Sequence, residues 1–432
     1  MNSIKQNVLQ FLHRHGMSYE SVNIDALLED FILDMEAGLA GDIKSMLMIP
    51  TFMEIKNTIT ANERVIVMDA GGTNFRIATL YFDENGKHHI EHFEKQPMPG
   101  SRSPISLDEF LNTVVDYMEP VMDASDKVGF SFSFPTEILP NLDGKLLNFT
   151  KETRVHDSDG MIIGASVNRT LVARGFTPKK FVLLNDTVAA MFSGATRQPG
   201  KQYSGYIGLI LGTGTNTCYI EKTENIPKID AAPGAMAINM ESGGYSGITQ
   251  GDFDIQLDQQ THNPGEHIYE KMISGAYQGR LVYLTLLGAA EEGLFSPAFA
   301  QFLRNQRDIG LKDLNQFCSQ PFGDHLLAQA VAGSDSDRQT LYAIIDANFE
   351  RVARVMAVNI GGILIKTDTG QDPTRPVCVV GEGTAFQHSE LFRKKLDFYI
   401  AQDFNAKRNR YCEFISTEDA TLIGSAAACL MN

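Results

Sequence analysis

The chain has 432 residues, more than one ordinary hydrophobic core serves, so two domains are expected. Hydrophobic residues at 43% and charged residues at 21% are those of a globular protein, while 37 basic against 53 acidic side chains leave a net charge of −16. That negative excess argues against nucleic acid and anionic membrane as partners, so any phosphate must be held locally, by backbone N–H groups and a bridging cation. Cys218, Cys318, Cys378, Cys412 and Cys429 are widely spaced with no CxxC pair, and the chain shows neither a signal-peptide pattern nor eighteen consecutive apolar residues, which together predict reduced thiols in a cytoplasmic protein.

Two helices open the chain. Ser3 can cap the first, which carries Val8, Phe11 and Leu12 on one side and stops at Gly16; the second runs from Asp25 with Leu28, Phe31, Ile32, Met35 and Leu39 at helical spacing and closes at Gly41. They are expected to form a structural collar, followed by an extended connector over 46–52 fixed by Pro50 and a domain boundary near 57–62. Residues 65–80, VIVMDAGGTNFRIATL, then read as an apolar strand that ends at Asp69, breaks at Gly71-Gly72 and resumes past Thr73-Asn74. Two adjacent glycines permit positive φ and remove side-chain bulk, so the turn amides can point at an oxyanion, with Thr73 and Asn74 adding donors. Phosphate is the expected guest, although the Lys-Ser/Thr of a Walker loop is missing; an ordinary hairpin turn is the alternative.

Asn85-Gly86 turns the chain into a strand over 87–93, completing a three-stranded antiparallel unit. A helix over 107–122 precedes the strand 128–135, VGFSFSFP, and the segment 146–151, LLNFTK. The strand 181–184 ends at Asn185-Asp186 and a helix continues over 187–195, so Asp186 is either the helix N-cap or a carboxylate delivered to a cleft from a strand tip. Residues 206–221, YIGLILGTGTNTCYIE, repeat the opening pattern, with Gly214-Thr215-Asn216 in place of Gly72-Thr73-Asn74. A strand over 236–241 ends in Glu241. Asn263-Pro264-Gly265 opens a helix carrying Glu266, Glu270 and Lys271, and two acids one turn apart are unfavourable on a plain exposed face, which favours a role for Glu270. The longest helix is expected over 341–360, a third glycine turn at Gly381-Glu382-Gly383-Thr384 after a strand 376–380, and a final helix over 420–430 capped from 417–419. Two hairpins facing each other across a cleft, with the third loop beyond, would cradle a chain of phosphates and then a nucleoside.

These residues resemble the hexokinase family. Asp69 through Arg76 (DAGGTNFR) is similar to the family's first phosphate signature, Phe132-Ser133-Phe134-Pro135 and Leu147-Asn148-Phe149-Thr150-Lys151 to its sugar-binding segments, and Asn185-Asp186-Thr187 and Gly212-Thr213-Gly214-Thr215-Asn216 to its catalytic and second phosphate signatures. Asn239-Met240-Glu241, Asn263-Pro264-Gly265 and the segment 269–275 (YEKMISG) complete the set, in the family's order from about residue 46 to the C-terminus. The resemblance implies an α/β, two-domain actin-like (ribonuclease-H-like) fold around a cleft. Residues 1–60 and 187–416 would form the large domain and 61–186 the small one, with 417–432 returning to the small domain. It also implies transfer of the ATP γ-phosphate to the 6-hydroxyl of a hexose, glucose foremost, with Mg²⁺. Ser242 stands where the family usually has an aromatic residue; Gly243-Gly244-Tyr245, Glu152 and the loop 381–384 are variant too, which bears on sugar and nucleotide preference more than on the reaction.

By that resemblance Asp186 is the expected base. Ser133, Phe134, Pro135, Thr150, Lys151, Asn185, Asn216, Glu241 and Glu270 would hold the hexose, a ring of hydroxyls that needs both acceptors and amide donors. Lys151 and Arg76 would add positive charge near the transferring group. Asp69, Gly71, Gly72, Thr73, Asn74 and Arg76 would embrace the β- and γ-phosphates, Thr213 the α- or β-phosphate, and Gly381, Gly383 and Thr384 the nucleoside. Asp69 would reach Mg²⁺ through water. The rival readings are a sugar-sensing protein that has lost the chemistry and an actin-like filament or chaperone ATPase.

Overall fold

The computed structural model describes residues 3–56, 58–149, 153–196 and 200–432. Thr150 and Lys151, expected at the sugar, lie outside the described residues. Two mixed sheets carry the architecture. The smaller orders its strands Lys180–Leu184, Lys127–Phe132, Val65–Ala70, Asn74–Phe82 and His88–Pro97. Its first three strands are parallel and its last two complete an antiparallel meander from Val65. The larger orders Ile49–Pro50, Ala235–Asn239, Thr215–Lys222, Gly205–Leu211, Val377–Glu382 and Cys412–Ile415. Here the last three strands are parallel and the others antiparallel. Apart from Ile49–Pro50 the two sheets share one topology, an antiparallel triplet extended by two parallel strands. The sequence repeat between 65–80 and 206–221 is the visible trace of that duplication.

Val65–Ala70 is buried along its whole length, as a strand with neighbours on both edges and covered faces must be, which is why it reads as an unbroken apolar run. Two helices, Asp186–Gly194 and Ala420–Met431, pack on each other; the second lies on the smaller sheet and the first on the larger. Glycine permits this stacking. A Cβ at Gly424 would overlap the Ala189 carbonyl, and one at Gly208 would overlap that of Thr187, so helix meets helix and helix meets strand at backbone distance.

The opening helices, Ser3–Arg14 and Ile24–Ala40, both touch the long helix Asp335–Lys366, yet they do not form one collar. Val8, Phe11 and Leu12 seal a helical core with Gly275–Glu291 and Pro297–Asn305, whereas Leu28, Phe31 and Met35 join the core beneath the larger sheet. The long helix begins six residues before the expected 341 because Ser334 caps it, accepting the Asp337 N–H. The helix at 107 ends at Met118 and tightens into a 3₁₀ turn, Glu119–Ala124, where Pro120 cannot continue the α-helical ladder. Among the described residues no helix is long and apolar enough to cross a membrane.

Candidate active site

A cavity of about 830 Å³ opens between the sheets. Gly72 and Thr73 of the first bend line it, as do Thr213, Gly214, Thr215 and Asn216 of the second. The bends have matching closures: the Gly71 N–H donates to the Asn74 carbonyl at 3.0 Å and the Gly212 N–H to that of Gly214 at 2.9 Å. Neighbours brace the second bend. Gly275 and Ala276, opening the helix Gly275–Glu291, donate to the Gly212 and Thr213 carbonyls at 2.8 and 3.2 Å. Gly383 lies against the same bend with φ 103°, where any side chain would meet the Leu211 carbonyl.

Asp186 enters the cavity from the turn between Lys180–Leu184 and the helix it begins. The choice left open by the sequence is decided locally. Asn185 is the N-cap, its Oδ1 accepting the Thr187 N–H at 2.8 Å, and Asp186 sits in the first turn, its own Oδ1 accepting the same N–H at 2.8 Å. A carboxylate there is favoured by the helix dipole and held at a fixed angle to the cavity. Ser133, Phe134 and Pro135 line the opposite wall, since the strand Lys127–Phe132 ends one residue earlier and releases them into the cleft.

On the larger sheet, the Asn216 Nδ2–H donates to Asn239 Oδ1 at 2.7 Å, and the Asn239 Nδ2–H donates to Glu241 Oε1 at 2.8 Å. The strand ends at Asn239, not at Glu241, which follows in a left-handed conformation with φ 53°. Such conformations in non-glycine residues concentrate at functional sites. Burial pushes the Glu241 carboxyl above its ordinary range; the charges of Asp186 and Glu270 push the same way, while the Asn239 hydrogen bond opposes them. Ser242 turns inward, fully buried, its hydroxyl donating to Thr217 Oγ1 at 3.0 Å, so the variant position backs the wall rather than lining it.

Glu270 joins the cavity for a different reason from the expected one. The helix is Ile268–Ile273, so Glu266 precedes it and the two acids do not share a helical face. What holds Glu270 is the Thr215 N–H, which donates to Oε2 at 2.9 Å. Lys271 beside it is buried, its Nζ donating to Asp258 Oδ1 at 2.6 Å and to the Asn263 carbonyl at 2.7 Å, which fixes the loop that leads in.

Several assigned residues stand off the cavity. Arg76 donates through Nε and Nη2 to Asp69 Oδ2 at 2.9 and 2.6 Å, through Nη1 to Asp419 Oδ1 at 3.0 Å and through Nη2 to Thr421 Oγ1 at 2.7 Å. It therefore ties the first hairpin to the terminal helix instead of pointing at a ligand. Asp69 is buried behind the bend, and Asn74 donates to Thr73 Oγ1 at 3.0 Å. Gly71 closes the bend from behind. Gly381 is not a turn residue: it pairs with Leu209 inside Val377–Glu382, and a Cβ there would overlap the Phe386 ring. Thr384 begins the short exposed-edged helix Thr384–His388 that follows Gly383. Conversely, Asn239, His267 and Tyr277 line the cavity without having been assigned to it. Asn239 alternates with Glu241 and His267 lies three residues before Glu270; those spacings were the available signals.

A family model described as hexokinase matches residues 206–431, and a second of the same description matches residues 10–196. The chain belongs to the hexokinase family. A rice relative, Hexokinase-3 of Oryza sativa subsp. japonica, is 27% identical over 95% of this chain and 87% of its own length. Human Hexokinase-2 is 28% identical over 90% of this chain but only 44% of its own length, so the chain spans about half of that relative. Among solved structures, the hexokinase from Schistosoma mansoni complexed with glucose superposes with a TM-score of 0.77 at 22% identity, covering 99% of this chain and 98% of the other. Another hexokinase crystal structure gives 0.78 at 21% identity over the full length of both chains. The fold is therefore the two-domain α/β fold of the hexokinases, with the cavity between its two sheets.

Proposed function

We infer that this hexokinase-family chain transfers the γ-phosphate of ATP to the 6-hydroxyl of a hexose, with glucose the foremost substrate. The observation that carries the reading is that both glycine bends and Asp186 border one cavity. Phosphoryl transfer asks a protein for alignment, charge neutralisation and a proton acceptor rather than covalent chemistry. Asp186 accepts the hydroxyl proton as that oxygen attacks phosphorus and the bond to the departing ADP oxygen breaks. Asn185, Asn216, Glu241 and Glu270 bind the remaining hydroxyls, with Asn239 orienting Asn216 and Glu241 together. Ser133, Phe134 and Pro135 support the sugar from the facing wall, and the family resemblance assigns Thr150 and Lys151, outside the described residues, to the sugar as well. Amide N–H groups of the two bends, with Thr73 and Thr213, hold the phosphates.

Magnesium fits the residues present. No cluster of three His, Cys, Asp or Glu side chains among the described residues is placed to hold a metal. Asp69 offers a single buried carboxylate behind the first bend, its Oδ2 engaged by Arg76; one such carboxylate near the phosphates would suit Mg²⁺ held through water, since that ion retains water and prefers phosphates plus one or two carboxylates. Bound with the nucleotide, the ion supplies charge neutralisation. Arg76 then acts by holding Asp69 in place. Residues 61–186 with the terminal helix form the smaller domain and close on the rest when sugar binds, expelling water that would otherwise compete as acceptor. Five free cysteines suit a reducing compartment, the cytoplasm foremost, although a related rice protein bears the name Hexokinase-4, chloroplastic.

The test is a coupled assay of ADP formation with ATP, Mg²⁺ and a panel of hexoses. Turnover with glucose is expected, with loss of turnover in Asp186→Ala. Ordinary activity in that variant would dismiss Asp186 as the base.

A further inference from the structure

Lys228 lies half-buried in the loop between the strands Thr215–Lys222 and Ala235–Asn239. Its Nζ donates to the carbonyls of Gly38, Leu47 and Met48 at 2.8, 2.9 and 2.6 Å. An ammonium has three protons and no acceptor, so these bonds use all of them. Burial pushes its pKa down to about 8, still above neutrality, so at neutral pH the group is mostly cationic. Gly38 belongs to the last turn of the helix Ile24–Ala40, where carbonyls favour a cation, and Leu47 and Met48 belong to the connector that follows. One side chain thus fastens the connector to the helix.

The connector is a segment that needs fastening. Met48 is left-handed, with φ 49°, and so is Phe52, with φ 57°; such conformations persist in non-glycine residues only where the surroundings over-determine them. Asp34, buried on the same helix, secures its start by accepting the Met46 N–H at 3.1 Å and the Ser45 hydroxyl. At Gly38 a Cβ would overlap the Met46 carbonyl and the Met48 side chain, so the segment lies at backbone distance from the helix. Beyond the clasp it becomes cavity wall, through Leu47, Ile49 and Thr51. Ile49–Pro50 pairs with Ala235–Asn239, placing Ile49 opposite Asn239, the amide that joins Asn216 to Glu241. The Met48 N–H donates to the Met240 carbonyl and the Thr51 N–H to that of Ala237, both at 3.1 Å. The same short strand touches Thr136–Ile138 on the facing wall.

We propose that Lys228 is a positioning residue for the hexose pocket, whose ammonium pins residues 46–51 so that the cavity wall and the edge of the sheet beside Asn239 keep their place. The proposal rests on the hexose reading above. Lys228 does not itself border the cavity, so it acts through the connector and leaves the glycine bends and Asp186 untouched.

The experiment is steady-state kinetics of the full chain at neutral pH, varying hexose and ATP separately, with amide hydrogen exchange read by mass spectrometry. The variants are Lys228→Met, Lys228→Gln and, as a control, Lys222→Met, an exposed lysine nearby whose one ion pair is with the exposed Glu224. Lys228→Met should raise the hexose KM roughly tenfold, with kcat and the KM for ATP within about twofold of wild type. Lys228→Gln, which keeps two N–H donors on a shorter stem, should fall between, and Lys222→Met should match wild type. Exchange should quicken over 46–51 and 235–240 in Lys228→Met and stay as in wild type over 65–80. An unchanged hexose KM in Lys228→Met overturns the proposal while leaving the hexose reading intact. So does a change of kcat and both KM values by one common factor, which marks a merely structural role. Should Lys228→Met fail to fold, Lys228→Gln decides by the same criteria. If wild type phosphorylates no hexose, both fall.

Discussion

Glu241, Asp186 and Glu270 put three carboxylates on one cavity, and burial, followed by the other two charges, raises the Glu241 carboxyl above its ordinary value. A folded-state value above the unfolded one means that the native state binds the extra proton in the window between them. Stability from this group is therefore full below the unfolded value and is lost as pH rises through the folded one. Where Glu241 is ionised it costs stability, a cost that the proposed role in sugar binding would account for. Replacing Glu241 with Gln should raise the sugar-free melting temperature at neutral pH by roughly 1–3 °C while lowering hexose affinity about tenfold or more, read by thermal melts and calorimetric titration. A lower melting temperature would sink this account. Asp186→Asn keeps shape and removes basicity, so kcat should fall by about a hundredfold or more with hexose binding retained. Retained binding separates the base from a mere structural role.

Single elements set where those side chains stand. The six-residue helix Ile268–Ile273 is too short to hold itself and depends on the buried Lys271–Asp258 pair. Lys271→Met should cost about 3–5 kcal/mol in denaturant unfolding, because Asp258 is left buried and unpaired, and should raise the hexose KM through displaced Glu270. A loss below about 1 kcal/mol would show the pair to be incidental. His15 closes the first helix onto the body, its ring bonded to Asp252 at 2.7 Å and Glu292 at 2.6 Å. Burial alone would lower its pKa, but the hydrogen bonds and charges of Glu292 and Asp252 outweigh it and raise the value above 6.5. That clasp stabilises fully below 6.5 and fades as pH rises through the raised value. His15→Gln should therefore lower the melting temperature by roughly 1–2 °C in mild acid and by nothing measurable in mild base; an equal loss at both would refute the linkage.

The two sheets meet through two helices in backbone contact, so a shift of one sheet would reach the Asp186 turn without compressible side chains between. Domain closure on sugar is the expected consequence. Small-angle scattering should show a smaller radius of gyration with hexose than without, and no comparable change with ATP alone; because the chain has no Trp and 13 Tyr, tyrosine emission is the optical companion. Hydrolysis of ATP should stay slow until sugar is added, whereas sugar-independent hydrolysis at the same rate would favour an ATPase.

Much of this was legible in short stretches of chain. Gly71-Gly72, Gly212 and Gly214 announce bends, but none of the four takes the positive φ expected of it; what Gly214 supplies is the missing side chain, since a Cβ there would meet the Glu270 carboxylate. The apolar runs beside them announce buried strands because each spans its own hydrogen-bonded ladder. The repeat of the two bends was enough to predict a shared ligand; Asp186 at a strand tip read locally as either an N-cap or a cleft carboxylate, and its expected role as base came with the family resemblance. Other assignments needed distant chain. Arg76 was expected at the phosphates, yet its partners Asp419 and Thr421 lie 343 and 345 residues away. Gly381 read as a turn, but its pairing with Leu209 places it inside a strand. Local sequence thus determined which segments bend, extend and carry charge, since those depend on neighbours one to four residues apart. Only the packed structure decided which charges meet across the cavity and which are absorbed behind it, since that depends on partners brought together by the core.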